Sequence, residues 1–411
     1  MWGLEGLWPE LFLVGAALLA PRRGVLTAGL LLYLAGVAWQ QERLFLLYAI
    51  EGQSVAGIGF FVGATLFALW WAPLPREAVW ALFVQLASYG LLLRSRHLGF
   101  SWALMESAAL SGYFFVIAAC EKAPSRWEAA LRYFFWSVVG SALILMSLGV
   151  RLLTGASLSY PLMGRTVLGD LLLSWGWAIK VGFLPWQGWL MGLYRTLPLG
   201  WGVWYALVPK GALLLNFLAL LPAGGSSGVS PGFLYGLGAL SLIGAYALAW
   251  RALSLTDQLF WGSFAQAAYM ALAMTPGGQA SGWQFWLVYG VASLLTFWYA
   301  ERPWRGRVGD AVGLLLIANL AALPPVLGFW VKVALFWVGF THFSGGLRVL
   351  LIGAAALATI GGFALYGKVL WQIWQKPAYA LPVGRRIGYA GGAVGLLVLG
   401  LLGLKALEGL G

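Results

Sequence analysis

The stretch that decides the fold is Asn319–Trp337, NLAALPPVLGFWVKVALFW. It lies within an apolar run of about 36 residues, 308–343, which as one helix would extend roughly 54 Å. A bilayer core is only about 30 Å thick, so the run is not a single straight crossing. Pro324 and Pro325 remove two backbone donors near its middle and break it there. Lys332 follows seven residues after Pro325, among apolar and aromatic neighbours. A cation on a broken membrane helix is costly to build, and its default reading is functional.

The rest of the chain supports a membrane setting. Of 411 residues, 61% are hydrophobic and 9% charged, and the mean hydropathy is +0.84. A soluble domain is about 25% charged. Apolar runs bounded by charge, Pro or Gly predict fourteen transmembrane segments: 7–20, 24–39, 51–71, 77–93, 98–120, 128–152, 166–196 (interrupted at Pro185), 200–222, 231–250, 257–275, 282–300, the broken 308–343, 348–367 and 387–407. The expected fold is an all-α polytopic membrane protein. Glu5 and Glu10, with no small-residue cleavage site, make the first segment a membrane helix and not a signal peptide. The longest polar connection is expected at 370–386.

Charge placement sets the topology. With the N-terminus outside, 14 basic residues fall on the inner side and 7, including Arg94 and Arg151, on the outer side. That asymmetry fits the positive-inside rule. The net charge of +12 is scattered singly at segment ends, which excludes a nucleic-acid patch. Cys120, the only cysteine, excludes a disulfide framework or a cysteine-held cluster. The two histidines, His97 and His342, are too far apart in sequence to suggest a metal pair. Many of the 25 tryptophans adjoin segment ends, as an interfacial belt does.

Four ionisable residues lie inside apolar segments: Glu106 in WALMESAAL, Lys180 in WGWAIKVGFLPW, Lys210 in YALVPKGALLL, and Lys332. Removing such groups from water disfavours their charged forms and brings both types toward proton exchange near neutrality. A Glu–Lys pair would hold both charged, and opening it would free a proton. The bland readings are a serine-bonded glutamate, snorkelling lysines, and a helix that starts only after Pro209. Asp170, Asp257 and Asp310 fall at segment starts and read as caps, with proton entry as the alternative. Glu128, Arg132 and Glu121 could form a charged surface touching a neighbour. Segments 166–196 and 308–343 are each proline-broken with a lysine beside the break, five segments apart. Paired interrupted segments point to inverted repeats with midplane sites. The domain scheme is peripheral helices over 1–75, a first repeat over 76–222, a second over 231–367, and a last helix at 387–407.

At these residues the chain resembles the antiporter-like subunits of proton-pumping NADH:quinone oxidoreductase, respiratory complex I, and among them the subunit N type, subunit 2 in mitochondria. ALPPVLGFWVK (322–332) is similar to the family's most characteristic string. EAALRYFFWSVVGSALIL (128–145), SFAQAAYMALAM (263–274) and WPELFLVGAALL (8–19) resemble its sixth, tenth and first helices. The match covers nearly the whole chain, but only the first string is highly specific. The resemblance implies that Glu106, Lys180, Lys210 and Lys332 are the proton-translocating residues. Glu106 would pair with Lys180 and take a coupling signal from a neighbour. Protons would enter from the matrix or cytoplasm near segment 166–196, pass Lys180 and Lys210, and leave from Lys332 through the Pro324–Pro325 break. It also implies no cofactor or metal in this chain, with NADH, FMN, iron–sulfur clusters and quinone in partner subunits, and neighbouring antiporter-like subunits and lipids as partners.

Lysine at 332, where subunit M has glutamate, fits subunit N, and the absence of a long C-terminal lateral helix argues against subunit L. The chain departs from the pattern at Gln266, where the family has His, at Thr256–Asp257, where it has basic residues, and at Trp186–Gln187. These departures put a relay through the tenth helix in doubt. High Trp and low acid content lean toward a mitochondrial inner-membrane protein, with a bacterial plasma membrane as the alternative. Competing readings are a subunit of a multi-subunit cation/proton antiporter and a non-conducting scaffold.

Overall fold

A computed structural model describes residues 30–33, 37, 52–120, 124–159, 166–220, 232–275, 278–343, 345–379 and 381–408. The expected segment 7–20 and most of 24–39 lie outside them, as do Glu121 and Lys122. The described residues form helices with no strand, apart from one isolated bridge between His97 and Ser159. Among them, five helices are long and apolar enough to cross a membrane. They group into two compact units, Met1–Leu234 and Tyr235–Gly411.

The first unit contains α1 (Gly52–Trp71), α2 (Arg76–Arg94), α3 (Leu98–Ala119), α4 (Arg126–Leu153), α5 (Val167–Val181), α6 (Gly188–Thr196) and α7 (Leu199–Ala219). α7 is its core: it packs on α1, α2, α5 and α6 and is buried almost all round. A helix apolar on every face belongs there. Its indoles are anchored: Trp201 donates to the Ala72 carbonyl at 2.8 Å and Trp204 to Thr65 Oγ1 at 2.8 Å. α7 runs unbroken through Pro209, so Lys210 sits in mid-helix and the late start does not occur.

α4 and α5 meet along small residues. Ser137, Gly140, Ser141, Ile144, Ser147 and Arg151 form one buried stripe on α4 at helical spacing. A methyl added at Gly176 would stand 2.6 Å from the Gly140 carbonyl oxygen, so the two backbones touch there. Farther along the same stripe Arg151 forms an ion pair with Asp170, both side chains at most 5% exposed. Arg151 Nε also donates to Ser147 Oγ at 3.4 Å. Two expectations change. Asp170 lies in the first turn of α5, but its carboxylate is taken up by Arg151. Arg151 and Arg94 are buried in the bundle and are not surface topology charges; leaving them out sharpens the charge asymmetry.

The second unit contains α8 (Gly232–Arg251), α9 (Leu255–Tyr269) continued by a 3₁₀ turn (Met270–Ala273), α10 (Gln279–Glu301), α11 (Arg307–Ala321), α12 (Leu327–His342), α13 (Gly345–Gln375) and α14 (Val383–Glu408). α9 starts at a cap in which Ser254 Oγ accepts from the Asp257 amide at 3.0 Å. Asp310 instead takes Arg305 at 2.9 Å. α13 runs on to Gln375, into the stretch expected to be a polar connection. Val369 and Ile373 are fully buried, and this apolar face carries the helix onward. The Glu128–Arg132 pair on α4 is exposed, as a surface pair should be.

The buried pair gives a test. Arg151→Met or Asp170→Leu alone strands a charge in the bundle and should lower stability by about 3–5 kcal/mol. The double substitution should recover most of the loss. Thermal unfolding of the detergent-purified protein checks both.

Candidate functional site: two broken helices and their buried lysines

Both breaks are built the same way locally. α5 ends at Gly182, which has φ +79°. The Phe183 amide then reaches back to the Ala178 carbonyl at 2.9 Å. α11 ends at Ala322, with φ 59°, and the Leu323 amide bonds the Ala318 carbonyl at 2.9 Å. Each is a left-handed helix stop that satisfies carbonyls at the end. The prolines follow: Pro185 three residues after Gly182, Pro324 and Pro325 two and three after Ala322. The helical stop therefore precedes the proline, which only prevents resumption. One expectation sharpens. Lys180 is on the limb before its break, whereas Lys332 is on the limb after its break.

In the first unit, Lys180 Nζ lies 3.3 Å from Glu106 Oε1 and donates to Ser137 Oγ at 3.1 Å. Ser141 donates to the same Glu106 oxygen. Gly140 makes room, since a methyl there would stand 2.9 Å from Lys180 Cγ. The two partners differ in burial: the Lys180 side chain is 4% exposed and that of Glu106 is 30% exposed. Glu106 is thus not an interior glutamate. It bridges the interior to the flank of α3.

Lys180, Lys210 and Ser137 line one cavity of about 40 Å³, together with Tyr133, Tyr194 and Tyr205. That is room for roughly three water molecules. Lys210 Nζ stands 5.7 Å from the Tyr194 ring centroid. One wall is a buried network around Gln85. Tyr205 donates to Gln85 Oε1 at 3.0 Å, and Gln85 Nε2 donates to Tyr89 Oη and the Ala108 carbonyl, both at 3.3 Å. Gly112 keeps α3 open for it, because a methyl would stand 2.7 Å from Gln85 Nε2.

In the second unit, Lys332 is buried, and its Nζ sits 4.2 Å from the Tyr269 ring centroid. A cation–π contact of this kind contributes about 2 kcal/mol when desolvated. The Tyr269 hydroxyl shares a 2.7 Å bond with Thr359 Oγ1. The break is bridged by side chains. The Gly328 amide donates to Asn319 Oδ1 at 3.1 Å, tying the start of α12 to the end of α11. Gln266 Nε2 donates to the Leu320 carbonyl at 3.0 Å and to the hydroxyls of Tyr246 and Tyr366 at 3.3 and 3.4 Å. Gln266 therefore braces the broken end of α11.

Glu106, Lys180 and Lys210 are thus brought together, and Lys332 has its own surroundings in the second unit. Ser137, Ser141, Gln85, Asn319 and Tyr269 were not singled out from sequence. Ser137, Ser141, Tyr269 and Asn319 lie within strings read for other residues, and the small-residue spacing of α4 is a further signal for the two serines. Buried amides and tyrosines are otherwise lost in an apolar background.

These features define a class of polytopic membrane protein built on proline-broken helices with buried lysines beside them. Residues 95–308 match the family described as NADH:quinone oxidoreductase/Mrp antiporter, transmembrane. The chain is 30% identical to NADH-quinone oxidoreductase subunit 14 of Thermus thermophilus, over 93% of this chain and 92% of that protein. It is 26% identical to NADH-quinone oxidoreductase subunit N of Geobacter metallireducens, over 74% and 70%. A chain of the Thermus thermophilus respiratory complex I superposes with a TM-score of 0.83 at 24% identity, covering 97% of each. A chain of the Mrp complex from Dietzia sp. superposes with 0.77 at 14% identity, covering 98% of this chain and 96% of that one. The chain belongs to the transmembrane family shared by NADH:quinone oxidoreductases and Mrp antiporters.

The mitochondrial lean finds no support, since these relatives are bacterial. Abundant tryptophan serves the interface of any bilayer and does not identify an organelle.

The bridged break makes a prediction. A methyl at Gly328 would stand 2.9 Å from the Asn319 backbone carbon, with its carbonyl oxygen closer still. Gly328→Ala should therefore destabilise by about 1–3 kcal/mol. Gly367, with open space around it, should accept alanine with no loss in the same melting experiment.

Proposed function

We propose that this chain is the proton-translocating, subunit N-like membrane subunit of a bacterial NADH:quinone oxidoreductase. In this reading it lies in the plasma membrane beside other membrane-arm subunits. Redox chemistry belongs to partners: NADH, FMN, iron–sulfur clusters and quinone are expected there, and this chain holds none. The fourteen segments would form two inverted repeats, over 76–222 and 231–367, each with one broken helix.

The observation that carries the reading is the Glu106–Lys180 pair beside a broken helix, with Lys180 and Lys210 on one small cavity. While paired, each group is the counter-ion of the other. A charge that loses its counter-ion in a low-dielectric site is driven toward its neutral form. Opening the pair is thus the step that frees a proton, with Lys210 as the next acceptor across the cavity. The partial exposure of Glu106 suits a carboxylate that answers a change in a neighbouring subunit. Lys332 is the outward station. Its ammonium has the Tyr269 face for company, with no carboxylate at ion-pair distance among the described residues. Gln266 cannot titrate, so a relay through α9 is not part of the mechanism. Gln266 holds the exit break in shape.

Lys180→Ala or Lys332→Ala in the assembled complex should lower proton pumping per electron at least several-fold, measured in proteoliposomes with NADH and quinone. Ser141→Ala, which spares both charges, should have a smaller effect. Undiminished pumping in both lysine variants would refute the relay and favour a scaffold. Pumping that follows an imposed sodium gradient would favour the cation antiporter reading.

A further inference from the structure

The lateral surface of the second unit carries a hollow that proton transfer does not use. Ile243, Ala247 and Trp250 recur on α8 at helical spacing, and all three are exposed. Leu357, Gly361 and Ala364 recur in the same way on α13. The large residues stand at the ends and the small ones between, leaving a groove of about 290 Å³ with an almost wholly apolar lining. From Ile243 to Trp250 it runs about 10 Å along the helix axis.

One end of the groove is cationic. Lys368, four residues beyond Ala364, donates from Nζ to the Trp250 carbonyl at 2.9 Å and stands 5.0 Å from the Trp250 ring. An ammonium has three donors, and this bond uses one of them. Arg251, next to Trp250, is exposed. Trp250, Arg251 and Lys368 all lie toward the side that the sequence assigns as positive and inner. Tryptophan at a segment end marks headgroup depth, and basic residues there attract anionic lipid.

We propose that this groove binds one anionic phospholipid. An acyl chain lies between α8 and α13, and the phosphate rests on Lys368 and Arg251. Charge complementarity selects this occupant over a zwitterionic lipid, whose own cation would face the same two residues. The groove floor is Tyr246, whose hydroxyl accepts from Gln266 Nε2 at 3.3 Å. Gly362 leaves room for that hydroxyl, since a methyl would stand 3.1 Å from it. The bound chain therefore packs against a residue that holds the brace of the broken helix.

Photo-crosslinking tests this in the assembled complex, reconstituted in vesicles. The probes are phosphatidylglycerol and phosphatidylcholine carrying the same diazirine on the acyl chain. Labelled peptides are compared with a reference face at Val394, Val398 and Leu401 of α14, which is exposed and apolar. Phosphatidylglycerol should label 243–250 and 357–364 several-fold above the reference, and phosphatidylcholine should not. Arg251→Ala with Lys368→Ala should abolish that preference, and Gly361→Leu should remove labelling of the groove by either probe. Electron-transfer rates of the variants check that the complex is intact. Equal labelling by the two lipids in the wild-type complex, or a groove covered by another subunit and unlabelled by both, overturns the proposal.

Discussion

A backbone carbonyl freed by a helix break inside a bilayer has no bulk water to bond, so a break must be closed by the protein or by water the protein holds. The two breaks meet this requirement with local turns at Gly182 and Ala322. The second needs more. Asn319 spans it to Gly328, and Gln266 takes the Leu320 carbonyl. Gly400 of α14 is also pressed on it, since a methyl there would meet the Pro325 carbonyl oxygen and the Leu327 amide nitrogen, both at 2.5 Å. Packing around the broken helices follows from this constraint. Small residues line the contacts, because only they let backbones come close enough to supply partners.

The lysines exploit the same geometry differently. Lys180 ends a limb, where the loosened turn lies beside it and α4 offers Ser137 as well as the route to Glu106. Lys332 begins well after its break and rests on an aromatic face. A carboxylate partner makes one ammonium part of an ion pair. A ring quadrupole stabilises the other less, without adding a second charge to the interior. The buried Arg151–Asp170 pair ties α4 to α5 farther along the same stripe.

Much of this was legible in the chain. Hydropathy and the 18- to 22-residue reach of a membrane helix marked the crossings. Proline marked the breaks, to within a few residues, because its missing donor prevents a helix from resuming. Charge in an apolar run marked Glu106, Lys180, Lys210 and Lys332, since such residues are costly to place there. Where local signals misled, packing overrode them: α13 passed through a polar stretch because one face stayed buried, and Asp170 became an ion-pair partner because Arg151 faced it from another helix.

The sequence by itself determined that this is a helical membrane protein with two interrupted helices and four charges within apolar segments. Those properties depend on transfer free energy and backbone chemistry, which act residue by residue. Tertiary structure alone decided which charges meet, that Glu106 is partly exposed, and that Gln266 is a brace. Ser137 and Gly140 matter only because α5 crosses them, and no local property of either residue records that crossing. Partnership between helices is a relation across the fold, and periodicity within one helix shows only that a face is small, not what it receives.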